Sequence, residues 1–236
     1  MASWKDIRVL SQKDMEKRIA RFSQLKGSDG GLPDSPLPEC KRTLYAVIGF
    51  QPPKKANRAT TSPVGDNAAT MPAIAIAEGF NLGYAKAKPG CGPLMHNHDT
   101  NETFIPMTGQ WRCEWNEGKK KLHADLKPYD VISFPPGVAR RFMNVTKGEP
   151  NKEHLLMFVI GGNQPRAEFT PLAMQRCREF AEQQASAQKP VAKKAAAQKP
   201  AVKKTAPPEP LAKKSAAKKV VAKKAAAKKA LPRKAA

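Results

Sequence analysis

Short runs of alternating apolar and polar residues, separated by Gly and Pro turns, fill the chain from about residue 43 to residue 160. Alternation with a period of two is typical of a β-strand with one buried face, and a nearly continuous apolar run suits a strand buried on both faces. Many short strands of this kind indicate an all-β barrel or sandwich. The pattern predicts strands at residues 43–50, 71–77, 80–87, 110–115, 121–126, 130–134, 139–145 and 154–160.

Two helices are predicted to flank the strands. Residues 11–22 begin with a capping-box pattern and place apolar side chains four and three positions apart, so we expect an amphipathic helix that packs on the barrel. A closing helix is predicted over residues 170–184, with Pro171 in its first turn, where a missing N–H costs nothing. Its buried side would be formed by Leu172, Met174, Cys177 and Phe180.

A different composition begins at Ala185. From there onward the chain has fifteen Lys, one Arg and one Glu, so this stretch carries +15 of the formal net charge of +22. It has no aromatic residue and almost no large aliphatic one, so we expect it to be disordered in free solution. We therefore predict three parts: an N-terminal helix and loop over residues 1–42, a barrel with its closing helix over residues 43–184, and a disordered basic tail over residues 185–236.

Lysine pairs recur along this tail at steps of ten and then five residues. Its Ala, Lys and Pro composition resembles the C-terminal tails of linker histones and of bacterial histone-like proteins. Each lysine that neutralises a phosphate releases counterions, which gives sequence-independent affinity that falls with salt. We predict non-specific nucleic-acid binding by Lys193, Lys194, Lys203, Lys204, Lys213, Lys214, Lys218, Lys219, Lys223, Lys224, Lys228 and Lys229.

Three good metal-ligand residues lie close together in the middle of the predicted barrel. On an extended chain His96 and His98 point to the same side, and Glu102 follows after a short turn. Two imidazoles and a carboxylate suit iron(II), manganese or zinc and leave coordination positions open. Two other histidines are weaker candidates: His123 lies on a predicted strand where it can face the interior, and His154 is expected at the surface.

The spacing of these ligands carries a family resemblance. Gly90, five residues, His96-x-His98, three residues, Glu102, six residues and Gly109 resemble the first motif of the cupin superfamily. The resemblance implies an all-β cupin jelly-roll barrel whose mouth holds the site. It also implies a homodimer, because barrels of this family often dimerise.

Residues 130–144 resemble the second cupin motif, with Pro135, Gly137 and Asn144 in place. Where the family usually has a third histidine, this chain has Arg140, which stays protonated and cannot ligate a cation. Three interpretations stay open. Arg140 can clamp an anionic substrate, it can pair with Glu102 in a site without metal, or it can turn outward to solvent.

Two functional hypotheses follow. The first is a cupin that binds a divalent metal (Fe²⁺, Mn²⁺ or Zn²⁺) through two His and one Glu and acts on or senses a small anionic molecule, with oxygen-dependent oxidation or isomerisation as the candidate chemistry. The second is a metal-free, non-catalytic cupin for ligand binding or dimerisation, whose tail makes it a nucleoid-associated protein. The start of the chain lacks the apolar stretch of a secretory signal and no run is long enough to span a membrane, so we expect a cytoplasmic protein.

Overall fold

The computed structural model describes residues 7–50, 62–65 and 71–196, with side chains as far as residue 187. Two antiparallel sheets dominate it. The strands are β1 (Gly27–Ser28), β2 (Thr43–Ile48), β3 (Phe80–Ala87), β4 (His96–His98), β5 (Glu102–Pro106), β6 (Trp111–Trp115), β7 (Leu122–Leu126), β8 (Ile132–Phe134), β9 (Arg140–Asn144), β10 (His154–Gly161) and β11 (Ala167–Phe169). The helices are α1 (Gln12–Glu16) and α2 (Pro171–Ala196).

Strands that are distant in sequence are neighbours in both sheets. The six-stranded sheet has the order β1-β2-β3-β10-β5-β8, and the five-stranded sheet has the order β11-β4-β9-β6-β7. The long apolar strand β10 pairs with β3 on one side and β5 on the other, and along it fully buried residues alternate with half-buried ones. Consecutive strands such as β4 and β5 therefore lie in opposite sheets, as in a jelly roll.

The core lies between the two sheets. Phe104 of the six-stranded sheet meets Phe142 of the five-stranded sheet with 5.1 Å between ring centroids, and Phe142 in turn contacts Trp111. Phe158 and Ile160 of β10 are buried in the same cluster. This packing confirms the all-β barrel predicted from the alternating pattern.

Two residues of the cupin-like motifs hold the barrel together. Gly109 has φ of 72°, and a Cβ there would lie 2.4 Å from Cγ of His154, so only glycine fits. Asn144 is fully buried, donates from Nδ2 to the Ala87 carbonyl at 2.8 Å, and accepts from the Thr146 N–H at 3.0 Å. The motifs therefore contribute turns and strand connections as well as candidate ligands.

The predicted N-terminal helix is much shorter than expected. The structure has a helix only at Gln12–Glu16, and none of its residues is buried. A single turn and a half that buries no apolar side chain gains too little to propagate, which explains why the helix does not extend over residues 11–22. Contact with the sheet is made instead by the ring of Phe22, which packs on Tyr45 and Tyr84.

Two other segments also differ from prediction. The strand predicted at residues 71–77 is absent. The structure has only an isolated bridge between Ile74 and Ile48 in this segment. Helix α2 continues to Ala196, so the first residues of the predicted disordered tail are helical. Of the predicted buried side of this helix, Met174, Cys177 and Phe180 are half-buried, but Leu172 is 56% exposed and Ala173 is buried instead. No helix in the described part of the chain is long and apolar enough to cross a membrane.

Candidate metal centre

The three predicted ligands meet between the two sheets. Strand β4 of the five-stranded sheet presents His96 and His98, and Glu102 opens β5 of the other sheet after a tight turn. All three side chains are buried, and one ligand atom from each lies within 4.8 Å of the others. The chain reversal between β4 and β5 therefore brings two imidazoles and a carboxylate to one point, as their spacing predicted.

Backbone carbonyls orient both imidazole rings. Nδ1 of His96 donates to the Leu94 carbonyl at 2.8 Å, and Nδ1 of His98 donates to the Arg166 carbonyl at 2.9 Å, since a carbonyl can only accept. In the neutral imidazole, each Nε2 then carries the lone pair. Hydrogen bonds of this type orient histidines that bind metals, so the rings fit a cation at this place.

Arg140 lies directly opposite His96 in the register of β9 and β4. The side chain is 0% exposed, so the outward orientation is wrong. Its Nε donates to Oε2 of Glu102 at 3.0 Å and its Nη1 to the Val138 carbonyl at 2.9 Å. Nη2 is buried without a hydrogen-bond partner in the described structure. The same Glu102 oxygen lies 3.3 Å from Nε2 of His98, so a cation or proton between these two atoms is needed to offset their lone-pair repulsion.

Burial and charge set the protonation states at this centre. Burial, with His98 and Arg140 adding to it, lowers the pKa of His96 to about 4. Burial alone would raise the pKa of Glu102, but His98, Arg140 and His96 together outweigh it and hold that pKa at about 2. At neutral pH His96 is uncharged and Glu102 is ionised, and these are the forms that bind a metal.

The low pKa of His96 predicts a loss of stability in acid. Between pH 6.5 and about 4 the unfolded chain binds a proton at this residue and the folded chain does not, so stability falls as pH falls through this window. The difference corresponds to about 3 kcal/mol at 1.36 kcal/mol per pH unit. We expect the free energy of unfolding in urea to depend less on pH between pH 7 and 4 in His96→Gln than in the wild-type protein. An equally steep decline in the variant would contradict this prediction.

The ligands open onto a small cavity of about 30 Å³. Most of its wall is apolar. Among the residues that the structure describes, Arg42, which precedes β2 and belongs to neither motif, is the cationic side chain that lines it, and Arg140 does not border it. The lining residues are Leu32, Arg42, Leu44, Pro63, Pro93, His96, His98, Glu102, Phe142, Phe158, Ile160, Ala167 and Phe169.

Sequence reasoning missed Arg42, because nothing local to it signals a site more than fifty residues away. Its placement depends on Asp34, which is fully buried and accepts from Nη2 of Arg42 at 3.0 Å. The other oxygen of Asp34 accepts the Leu94 N–H at 3.0 Å. Locally the sequence shows only an arginine and an aspartate flanking a Pro-rich loop, a pattern too common to predict a site.

The remaining predicted residues lie apart from this centre. His123 is exposed on β7, and His154 is only 3% exposed, which corrects its predicted surface position. His154 is covered because β10 starts beneath Gly109. Of the predicted nucleic-acid-binding lysines, Lys193 and Lys194 lie in α2 and the others lie outside the described residues.

Comparison with known proteins finds similarity in structure but not in sequence. No family model matches the chain, and no curated protein matches it in sequence. The vicilin of hazelnut, Corylus avellana, is 12% identical with a TM-score of 0.42, over 64% of this chain and 36% of its own. Oxalate decarboxylase of Bacillus subtilis, which has Mn(II) centres, is 16% identical with a TM-score of 0.39, over 60% of this chain and 28% of its own.

A cupin superfamily protein of Desulfitobacterium hafniense is 9% identical with a TM-score of 0.31, over 36% of this chain and 70% of its own. The chain thus spans far less than two thirds of the vicilin and of the decarboxylase, and scores this low carry no conclusion about function. The fold follows from the chain's own features: two facing antiparallel sheets, both motifs at their expected strands, and a His-His-Glu cluster between the sheets. We conclude that the described barrel has the cupin fold.

Proposed function

We propose that the barrel binds a divalent metal ion through His96, His98 and Glu102, and with it a small anionic molecule. The observation that carries this proposal is the convergence of the three ligand atoms within 4.8 Å. The orientation of both Nε2 lone pairs by the backbone supports it. Iron(II), manganese and zinc all accept this ligand set and keep positions open for water or substrate.

The balance of buried charges at this centre favours an anionic ligand beside the metal. Glu102 is balanced by Arg140, and Arg42 is balanced by Asp34, with donor–acceptor distances of 3.0 Å in both pairs. A divalent ion would therefore leave this centre with a net charge of +2, and uncompensated charge is costly in the interior. An anionic ligand beside the metal lowers this cost.

Oxygen-dependent oxidation is the reaction class we propose, with isomerisation as the alternative chemistry. A bound iron(II) ion would supply the redox capacity and Lewis acidity for it. The chain's own residues hold the ligands in place: carbonyl groups orient the two imidazoles, and Arg140 keeps the Glu102 carboxylate ionised and fixed.

Elemental analysis of the purified protein tests the metal. We expect near-stoichiometric iron, manganese or zinc after reconstitution, and its loss in the His96→Ala, His98→Ala double variant. His123→Ala is the matched control, because it removes an exposed histidine on another strand. Equal metal in the double variant, or none in the wild-type protein, would contradict the proposed site.

The Arg140–Glu102 pair favours a second candidate function. Without metal the guanidinium already neutralises the carboxylate, so the barrel can be a non-catalytic module that binds a ligand or dimerises. Absence of metal together with ligand binding in the experiment above would support this candidate. Arg140 as a direct substrate clamp stays a prediction.

We further propose that the lysine-rich tail binds nucleic acid without sequence specificity and thereby holds the barrel near it. The charge of +15 from residue 185 onward supports this proposal. The homodimer, the cytoplasmic location and the three-part division of the chain stay predictions.

A further inference from the structure

We propose that Arg42 selects the anion at this centre, and that the anion is a carboxylate of one to three carbon atoms. This inference rests on the proposed function, because it names the ligand class of the same cavity. Arg42 lies outside both cupin-like motifs, between the loop of residues 29–41 and strand β2. Its contacts, the size of the cavity and the nature of its wall each contribute to the assignment.

Arg42 is a buried cation held in a fixed orientation. The residue is 8% exposed and lines the cavity together with His96, His98 and Glu102. Nη1 donates to the Cys40 carbonyl at 2.8 Å, and Nη2 donates to Asp34 at 3.0 Å. These bonds use two of the five N–H groups of a guanidinium, and the planar fork matches the geometry of a carboxylate.

A short chain of hydrogen bonds connects Arg42 to a metal ligand. Asp34 accepts from Arg42 through Oδ1 and from the Leu94 N–H through Oδ2, both at 3.0 Å. The Leu94 carbonyl then accepts from Nδ1 of His96 at 2.8 Å. Arg42 and His96 therefore share one anchor, so a ligand that spans them meets a preorganised pair of groups.

The cavity admits only a small ligand. As the described residues bound it, the cavity has a volume of about 30 Å³, which favours a ligand of a few heavy atoms over sugar phosphates, nucleotides and aromatic acids. Leu44, Phe158, Ile160 and Phe169 form apolar wall, which suits a short hydrocarbon portion better than a second charged group. A short monocarboxylate places its head at Arg42 and the metal ligands, and its methyl or ethyl group against this wall.

The test is a nuclear magnetic resonance titration of the full-length protein with sodium acetate at constant ionic strength, with and without Zn²⁺, alongside the zinc content. We expect saturable acetate binding that Zn²⁺ strengthens, because the ion adds positive charge to the cavity. Arg42→Met should weaken acetate binding about tenfold or more, since it removes charge-assisted hydrogen bonds.

Lys88→Met is the matched control. Lys88 and Arg42 both border an outer hollow of about 450 Å³, but Lys88 does not line the inner cavity. Its loss should leave acetate affinity within about twofold, which is the range of a screened surface charge. If Lys88→Met weakens binding as much as Arg42→Met does, the anion lies in the outer hollow and our assignment is wrong.

Arg42→Met leaves Asp34 buried without its partner and can impair folding. The Asp34→Asn, Arg42→Met double variant removes both charges, and Ala167→Leu narrows the cavity without touching either. Both should fold by circular dichroism and lose acetate binding.

Different results would contradict the role of Arg42 and the proposed metal site. Acetate binding that depends on Arg42 in a protein that takes up no zinc supports the role of Arg42 and contradicts the proposed metal site. Zinc binding with unchanged acetate affinity in Arg42→Met overturns the inference and keeps the metal. Absence of acetate binding by the wild-type protein, both with and without Zn²⁺, also overturns the inference about Arg42.

Discussion

Replacing Arg140 with methionine is expected to lower the free energy of unfolding of the metal-free protein by about 3–5 kcal/mol. The side chain is fully buried, and its Nε donates to Glu102 at 3.0 Å. Methionine fills similar volume but leaves the Glu102 carboxylate without its guanidinium. Urea unfolding in the presence of a chelator measures the loss.

Arg141→Met is the control for this prediction. Arg141 is the next residue on β9 and donates to Glu114 at 2.6 Å on the outer side of the sheet. Glu114 keeps a second partner, Lys121, at 3.2 Å, so the control should cost about 1 kcal/mol or less. If Arg140→Met and Arg141→Met lower the free energy of unfolding equally, the buried Arg140–Glu102 pair contributes no more than the outer pair, and the prediction is wrong.

Added metal should reverse the loss in Arg140→Met. The variant removes a positive charge beside the three ligands, so its affinity for Zn²⁺ should exceed that of the wild-type protein about tenfold or more. The Glu102→Gln, Arg140→Met double variant should recover stability but bind no metal. Weaker zinc binding in the single variant would mean that Arg140 supports the metal site instead of competing with it.

Deleting residues 197–236 is expected to lower affinity for a random-sequence DNA duplex about a thousandfold or more at low salt. The deletion removes twelve Lys and one Arg but leaves helix α2 and the barrel intact. In the full-length protein the logarithm of the affinity should fall steeply with the logarithm of salt concentration, and this slope should become shallow after deletion. A gel-shift titration at several salt concentrations measures both.

A shuffled tail of the same composition is the control, since counterion release depends on charge and not on order. It should bind as the natural tail does, whereas a tail with Lys replaced by Gln should not. DNA affinity that survives the deletion would assign binding to the barrel and overturn the proposed tether.

Local patterns in the sequence were sufficient for most of the longer strands and for the trio of candidate ligands. Side chains alternate along any strand, so the two-position step from His96 to His98 places both on a common face whatever the rest of the fold does. Glu102 follows after a turn too short to carry it away from them. The core strands β3 and β10 were equally readable, because β3 alternates in burial along its length and β10 is a nearly continuous apolar run.

Such local patterns could not predict which residues from distant parts of the chain pack against one another. The N-terminal helix was overestimated because the periodicity of Met15, Ile19 and Phe22 says nothing about what surface covers them. His154 was placed at the surface because its cover, Gly109, comes from another part of the chain. In each case the missing information was the identity of the neighbour across the fold.

Arg140 and Arg42 show the same division at the candidate site. The sequence by itself determined the all-β class, the basic tail, the trio of candidate ligands and the arginine at the position of the family's third histidine, since each of these is a matter of residue type and short spacing. Only the tertiary structure decided that Arg140 pairs with Glu102 and that Arg42 is the cation lining the cavity. The physical reason is that pairing between distant strands and loops, which sets these contacts, depends on the packing of the whole barrel.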